Sequence, residues 1–571
     1  MKKIIFGWGL LLSLLSSTIL HADQRGWVAS MEKLRDSHAV KESYLQGLLM
    51  HQTYGVYHVD KIVMEAEVQA FYAQRDYRTF WYNAFNEPDM LISDMITAIK
   101  RSVNEGLDPE DYHLAEIDAL YDEVEEGDFD TPRERNLAVV TLDILLTDAF
   151  MALAHDLYEG LIDYDAFQAR LKALAEARDI KYVWDMPLKH LDLIALLKRV
   201  KSSGEIENRL YSLVTQNLIY DNLLDAYTRY RVIVADGGFV QVPRVTLKLG
   251  SRGKAVRALA HRLFQSDDLD FYDDEYTVFD KPLQQALKRF QKRMGIWPSG
   301  VLGKRTRKAL NVPAHVRLEQ IKLNLEHARW ERDPMDCACV FVNIPAFMMY
   351  FINEGEIQLQ MRVVVGRRKN PTPIFKSYMS YVVLNPTWSV PQSIVKKEML
   401  KRLQEDPDYL ASRHFKAYQG WSKNRKPIDP FDVDWYQYDG ESDLPFNFVK
   451  DPGKGNPLGK VKFMFPNKYA VYMHDTNEKG LFKRPIRAYS HGCIRLQNPQ
   501  KMLEFVANNY MDKSYKELKA MLKKSENTSL QMQERIPVYI RYYTAWVNGD
   551  GVNFRDDIYG YDKIMRAVMR K

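Results

Sequence analysis

The sequence predicts a multi-domain α+β protein, and three observations carry that expectation. A long N-terminal stretch repeats apolar residues at helical spacing, and a compact middle segment holds two amphipathic helices between glycine turns. The C-terminal part then changes period, to alternating runs rich in β-branched and aromatic residues. At 571 residues the chain is long enough for several cores. Its 46% hydrophobic and 27% charged residues are ordinary, and 28 Gly with 24 Pro exclude a collagenous or wholly disordered chain. The net charge of +5 is small for this length and gives no reason to expect a nucleic-acid binder. The 3 cysteines are too few for a disulfide scaffold.

The N-terminus reads as an export signal. Lys2 and Lys3 precede an uncharged apolar run, Ile4–Leu20, and the small Ala22 stands before Asp23. Residues 1–22 are therefore expected to be a signal peptide, cleaved after Ala22 or retained as an anchor; a buried N-terminal helix is the remaining alternative.

Residues 27–242 read as a helical domain with no evident chemistry. In Leu137–Leu157, Leu142, Leu146, Ala149, Leu153 and Leu157 can share one stripe, and Leu191–Val200 behaves likewise. The acidic run Glu123–Asp130 is expected to be a solvated loop. Gly237, Gly238 and Pro243 punctuate the chain before a compact unit at 247–312. There Val256, Leu259, Leu263 and Phe264 form one helical stripe, and Leu283, Ala286, Leu287 and Phe290 a second.

That unit contains LGSRG, then AVRAL, then an AL-x-x-FQ helix, then G-x-x-x-x-G-x-x-G-x-x-T from Gly295 to Thr306 and a closing LNV. It resembles the small three-helix peptidoglycan-binding module, departing at Ser299, where Asp is usual. A helical spacer that binds nothing is the alternative. Residues 313–335 return to helical spacing.

From 336 to 555 the pattern is β-rich. Val340, Val342 and Ile344 alternate with their neighbours, as do Met348, Tyr350 and Ile352. Tyr381–Pro391, Lys462–Thr476 and Arg535–Val547 supply further strands. An insert at 392–459 interrupts this domain, and so long an interruption is expected to be a lid or binding segment. Residues 556–571 read as a C-terminal tail. Trp388 is expected in core packing.

Chemistry concentrates in Ser490-His491-Gly492-Cys493-Ile494-Arg495-Leu496, with His474 nineteen positions before Cys493 in Tyr472-Met473-His474-Asp475-Thr476. A thiol is a good nucleophile only as thiolate and needs a base beside it, and imidazole titrates in the right range. Gly492 permits close backbone approach, backbone N–H groups in such a turn can form an oxyanion hole, and Arg495 could hold a carboxylate. Cys337 and Cys339 lack a second ligand pair, so strand packing or a strained disulfide is expected rather than a metal site. His414 and the other histidines show no metal spacing, and no cofactor motif is present.

The segment SHGCIRL, with HDT upstream, resembles the L,D-transpeptidase family. NIPAFMMYF, VVVGRRKNPTPIF, YVVLNPTWSVP and NPLGKVKFMFPN precede it in the expected order. With the helical region as scaffold and the wall-binding module, the chain resembles the large multi-domain periplasmic type.

The resemblance implies that Cys493 is the nucleophile and His474 the base, with the Asp475 backbone carbonyl orienting the imidazole in preference to its carboxylate. It implies oxyanion N–H groups from Gly492 and Cys493, with His491 a further candidate, and a substrate pocket touched by Arg495 and Tyr472. The implied reaction forms 3→3 cross-links between stem peptides through a thioester, with loss of D-alanine and inhibition by carbapenems. Alternatives are an L,D-carboxypeptidase, a wall hydrolase using the same cysteine, or a non-catalytic wall-binding scaffold. Stem tetrapeptides would serve as donor and acceptor, and glycan-strand synthases are expected as partners.

Overall fold

The computed structural model describes residues 39–570, apart from 52–56, 58, 60, 84–85, 334–337, 423 and 550. The export signal 1–22 and Cys337 lie outside the described residues. The chain forms two compact units. The first takes residues up to Leu161, Leu188–Gln216 and Glu326–Arg332; the second takes Ile162–Pro187, Asn217–Leu325 and Asp333 onward. The expected helical stretch 27–242 is thus shared between the two.

The first unit is built around one helix, Pro132–Tyr158. Thr131 and Glu134 form a capping box, and Pro132 occupies the first turn, where its missing N–H costs nothing. The expected single stripe is wider in fact, because this helix is buried on all sides from Leu137 to Ala154. It is long and apolar enough to cross a membrane, yet its apolar stretch is enclosed in the fold. Its buried acids are satisfied: Asp143 accepts from the backbone N–H groups of Phe80 (2.9 Å) and Trp81 (2.7 Å) and from the Tyr72 hydroxyl (2.6 Å). The acidic run Glu123–Asp130 is only half loop. Leu114–Glu126 is helical, Val124 is buried, and Gly127 ends the helix in the left-handed conformation.

In the second unit, helices Lys254–Phe264, Lys281–Arg293 and Lys304–Leu310 enclose a core that includes Val256, Leu259, Leu263, Leu283, Leu287 and Phe290. Phe264 departs from its expected stripe and stays 42% exposed, because it ends its helix. Ser299 tightens the following turn by accepting from the Val301 N–H (3.2 Å). Buried Arg293 pairs with buried Asp268 and also donates to the Val552 carbonyl, so this small bundle is fixed to the strands that follow.

Among the described residues, fifteen strands follow in chain order. They are β1 Cys339–Asn343, β2 Met348–Asn353, β3 Glu356–Gly366, β4 Phe375–Leu384, β5 Trp388–Ser389, β6 Phe415–Gln419, β7 Lys426–Pro427 and β8 Phe446–Lys450. Then come β9 Val461–Met464, β10 Met473–His474, β11 Ala488–Ser490, β12 Ile494–Leu496, β13 Thr528–Arg541, β14 Ala545–Asn548 and β15 Gly551–Phe554. The main sheet runs β11-β3-β12-β10-β9-β4-β13-β1-β2, and β2 also pairs with β3, so the pairing closes on itself. Strand β1 is buried along its whole length and pairs with β13 on one edge and β2 on the other. In β2 the buried face is Met349 and Phe351. The strand expected at Arg535–Val547 is broken after Arg541, and β14 pairs with β15 instead.

The insert is more than a loop. Strands β5, β8, β6 and β7 form a sheet of their own, and Val395, Leu400, Leu403, Trp435, Phe446 and Phe448 belong to a separate core. Trp388 packs against that core and against Phe415. The expected tail, described to residue 570, is built into the body: Tyr559 and Tyr561 are fully buried, and Tyr561–Arg566 is helical.

Candidate active site

Two very short strands create the site. β10 and β12 run parallel, with Met473 opposite Ile494 and His474 opposite Arg495. The Ile494 N–H donates to the Tyr472 carbonyl (3.1 Å), which brings Tyr472 beside Cys493. Side chains alternate along a strand, so Tyr472 and His474 share one face with Cys493 and Arg495. On the other side β9 runs antiparallel to β10 and sets Lys462 opposite His474. The sheet therefore carries a row Lys462–His474–Arg495 and, next to it, Tyr472–Cys493. The Tyr472 ring meets the His474 ring edge-on at 5.6 Å, and the Lys462 ammonium lies 4.1 Å from the Tyr472 ring centre.

His474 is buried, and its Nδ1–H donates to the Asp475 carbonyl at 2.5 Å. Nδ1 thus carries the proton of the neutral ring, and Nε2 is left as the acceptor. The Asp475 carboxylate faces elsewhere. It accepts from the N–H groups of Lys460 (2.9 Å) and Thr476 (2.7 Å) and from the Lys479 ammonium (2.6 Å). The backbone carbonyl, not the carboxylate, is the orienting group. Burial, with the positive Arg495 next, pushes the His474 pKa down to about 3.

Cys493 is half-buried, with its sulfur 3.9 Å from the Ala470 carbonyl oxygen. Burial raises the thiol, while the Tyr472 N–H, the Tyr472 hydroxyl and the cations Lys462 and Arg495 work in the opposite direction. Burial thus works toward the neutral form of both groups, the thiol and the imidazole.

Gly492 has φ +120°, open to glycine and strained for other residues. Its N–H, an expected oxyanion donor, here donates to Ser490 Oγ (3.2 Å). Ser490 Oγ in turn donates to the Cys493 carbonyl (2.6 Å). The Cys493 N–H has no hydrogen-bond partner among the described residues and remains available to a developing oxyanion. The Gly492 carbonyl is held by the Thr372 hydroxyl (2.8 Å). Thr372 Oγ1 accepts from the Gly366 N–H, and the Tyr559 hydroxyl donates to the Gly366 carbonyl (2.6 Å) and accepts from the Thr372 N–H (3.2 Å).

His491 joins the turn to the insert through its side chain. Its ring turns outward, with Nε2 2.6 Å from Glu398 Oε1 and 2.8 Å from an Arg367 nitrogen. Glu398 belongs to the insert, in the π-helical turn Val395–Met399, so this cluster ties the insert to the catalytic turn. Although burial works against its charge, His491 and Arg367 hold Glu398 below the usual carboxylate range. Arg495 is ion-paired with Glu478. Sequence reasoning missed Lys462, Glu398, Arg367, Thr372 and Tyr559, of which only Lys462 lay within a segment read as strand.

Comparison with known proteins agrees with this geometry. Residues 338–538 match the family described as the L,D-transpeptidase catalytic domain. Residues 66–226 match a scaffold domain, and residues 252–310 a "Putative peptidoglycan binding domain". A "Putative L,D-transpeptidase" of Haemophilus influenzae is 32% identical over 227 residues, 39% of this chain and 44% of that protein, so the match spans less than half of the relative. Among solved structures, an L,D-transpeptidase from Stackebrandtia nassauensis is 14% identical with a TM-score of 0.21, over 53% of this chain and 96% of that one. One from Xylanimonas cellulosilytica is 14% identical with a TM-score of 0.16, over 53% and 98%. Scores this low support no inference.

The β-rich domain is thus a cysteine transpeptidase domain. It is an L,D-transpeptidase domain, joined in this chain to a scaffold domain and a peptidoglycan-binding domain.

Proposed function

We propose that this chain is a peptidoglycan L,D-transpeptidase that makes 3→3 cross-links. The observation that carries the reading is the parallel pairing of β10 with β12, which sets Tyr472 and His474 on the same face as Cys493 and Arg495. In the first half-reaction the Cys493 sulfur attacks the amide carbonyl after the third residue of a stem tetrapeptide, and His474 Nε2 takes the thiol proton. The Cys493 N–H holds the oxyanion. The C–N bond then breaks, His474 returns the proton to the departing nitrogen, and D-alanine leaves a thioester on Cys493. In the second half-reaction the side-chain amine of another stem's third residue attacks the thioester. His474 takes the amine proton and gives it to the sulfur as the thiol is restored.

The match to a peptidoglycan-binding domain supports the wall as substrate. An exported enzyme acting in the periplasm fits that substrate and the reading of residues 1–22.

The test uses the purified chain with disaccharide-tetrapeptides, beside Cys493→Ala, with products read by mass spectrometry. Dimers lacking one D-alanine, made only when Cys493 is present, are the expected result. Tripeptide monomers alone would reassign the acceptor to water. Soluble fragments from cross-linked sacculi would make the chain a hydrolase. Sacculus binding with no chemistry, and no carbapenem adduct on Cys493, would leave a scaffold.

A further inference from the structure

Three cations act on the Cys493–His474 pair, and two of them are already neutralised. Arg495 is ion-paired with Glu478, and Lys479 with Asp475. Lys462 differs. It is half-buried in the middle of the sheet, opposite His474 in register, and its ammonium lies over the Tyr472 ring. Among the described residues no carboxylate forms an ion pair with it. The ring offers only the weak attraction of its π face, which does not replace a counter-ion. A cation taken partly out of water with no anion beside it is costly unless an anion appears there during the protein's work.

The groups facing it are Tyr472 and His474 from β10, Cys493 and Arg495 from the β12 side, and the uncharged Val383 from β4. Of these, the only one that turns negative during the proposed chemistry is Cys493.

We propose that Lys462 is a positioning cation of this site, whose ammonium stabilises the Cys493 thiolate and thereby sets the pH at which the nucleophile forms. The inference rests on Cys493 being the nucleophile. It gives the site what burial removes: burial favours a neutral His474 and a protonated thiol, and a nearby unpaired positive charge lowers the cost of separating the proton from the sulfur. Burial draws the Lys462 ammonium down, and the electrostatic pull of Cys493 opposes that.

The experiment measures alkylation of Cys493 by iodoacetamide, a small neutral electrophile, in the full chain. Adducts are located by peptide mass spectrometry across about pH 5 to 11. In Lys462→Met, which keeps the aliphatic stem over Tyr472, the midpoint of the rate profile should move up by about one pH unit or more. In Lys462→Arg it should stay within about 0.3 unit of wild type, because the charge is kept. Thermal midpoints of the variants are measured alongside, and Lys462→Gln gives the same readout if Lys462→Met does not hold its fold. A charge-removing variant that is folded and has the wild-type profile overturns the proposal. So does a variant whose only defect is a raised KM for the stem peptide, which would make Lys462 a dock for a substrate carboxylate. Failure of the enzyme reading is distinguishable: Cys493 would then form no acyl adduct with a tetrapeptide, whatever its alkylation profile.

Discussion

His474 Nδ1 lies 2.5 Å from the carbonyl oxygen of Asp475, the next residue in the chain, so the main chain orients the imidazole. The Asp475 carboxylate meanwhile gathers the loop through Lys460, Thr476 and Lys479. Asp475→Asn should therefore lower kcat by less than about tenfold, whereas His474→Gln, which removes the proposed base, should lower it by about a hundredfold or more. Urea unfolding should show Asp475→Asn less stable by ~1 kcal/mol, the cost of weakened loop hydrogen bonds. A loss of activity in Asp475→Asn equal to that in His474→Gln would return the carboxylate to the catalytic group.

Acid should destabilise the fold through the same histidine. Its pKa falls from 6.5 to about 3 on folding, so between those values the unfolded chain binds a proton that the folded one does not. The neutral ring's contribution is complete above about pH 6.5 and is lost as pH falls toward about 3, with a slope of up to ~1.4 kcal/mol per pH unit. Denaturant titrations at several pH values should give a shallower acid dependence for His474→Gln than for wild type. Parallel curves would contradict this.

Tyr559 stands far along the chain from the catalytic turn and nevertheless supports it. Its hydroxyl bridges Gly366 and Thr372, and Thr372 holds Gly492. Tyr559→Phe leaves a buried carbonyl and a buried N–H without that partner, and should cost ~1–3 kcal/mol in stability. Thermal melting measures the loss. Unchanged melting would mean that the bridge contributes nothing.

Gly366 tolerates no side chain. A Cβ there would lie 2.1 Å from the Asn370 carbonyl oxygen and 2.7 Å from the Thr372 nitrogen, both backbone atoms. Gly366→Ala should yield a protein that melts far lower or fails to accumulate in soluble form. Wild-type melting would show that this turn shifts at no cost.

Much of the site was legible in the sequence, for local reasons. Cys493 and His474 stand in short runs whose residue types point to one chemistry, and β12 and β10 hold those runs side by side. Lys462 was not legible, because its meaning depends on the register of β9 against β10 and on having no carboxylate paired with it among the described residues, and neither is written in local spacing. Glu398 was hidden for a related reason: it reaches His491 across 93 positions of chain. The helix Pro132–Tyr158 was read correctly as a helix but too narrowly as a stripe, since periodicity shows which face is apolar and not how many neighbours surround it. The break after Arg541 escaped because Tyr542 and Tyr543, both buried, have the composition of a strand without its pairing.

The insert's separate core makes it an exchangeable part. Chain leaves the main sheet after β4 and returns at β9, and between them residues from Val390 to Phe448 gather around an apolar centre of their own. Substitutions inside that centre alter the insert without repacking the catalytic sheet, so the two can diverge at different rates. A graft from a relative would then carry its own surface over an unchanged cysteine and histidine, provided it brought an acid at the position of Glu398 to meet His491.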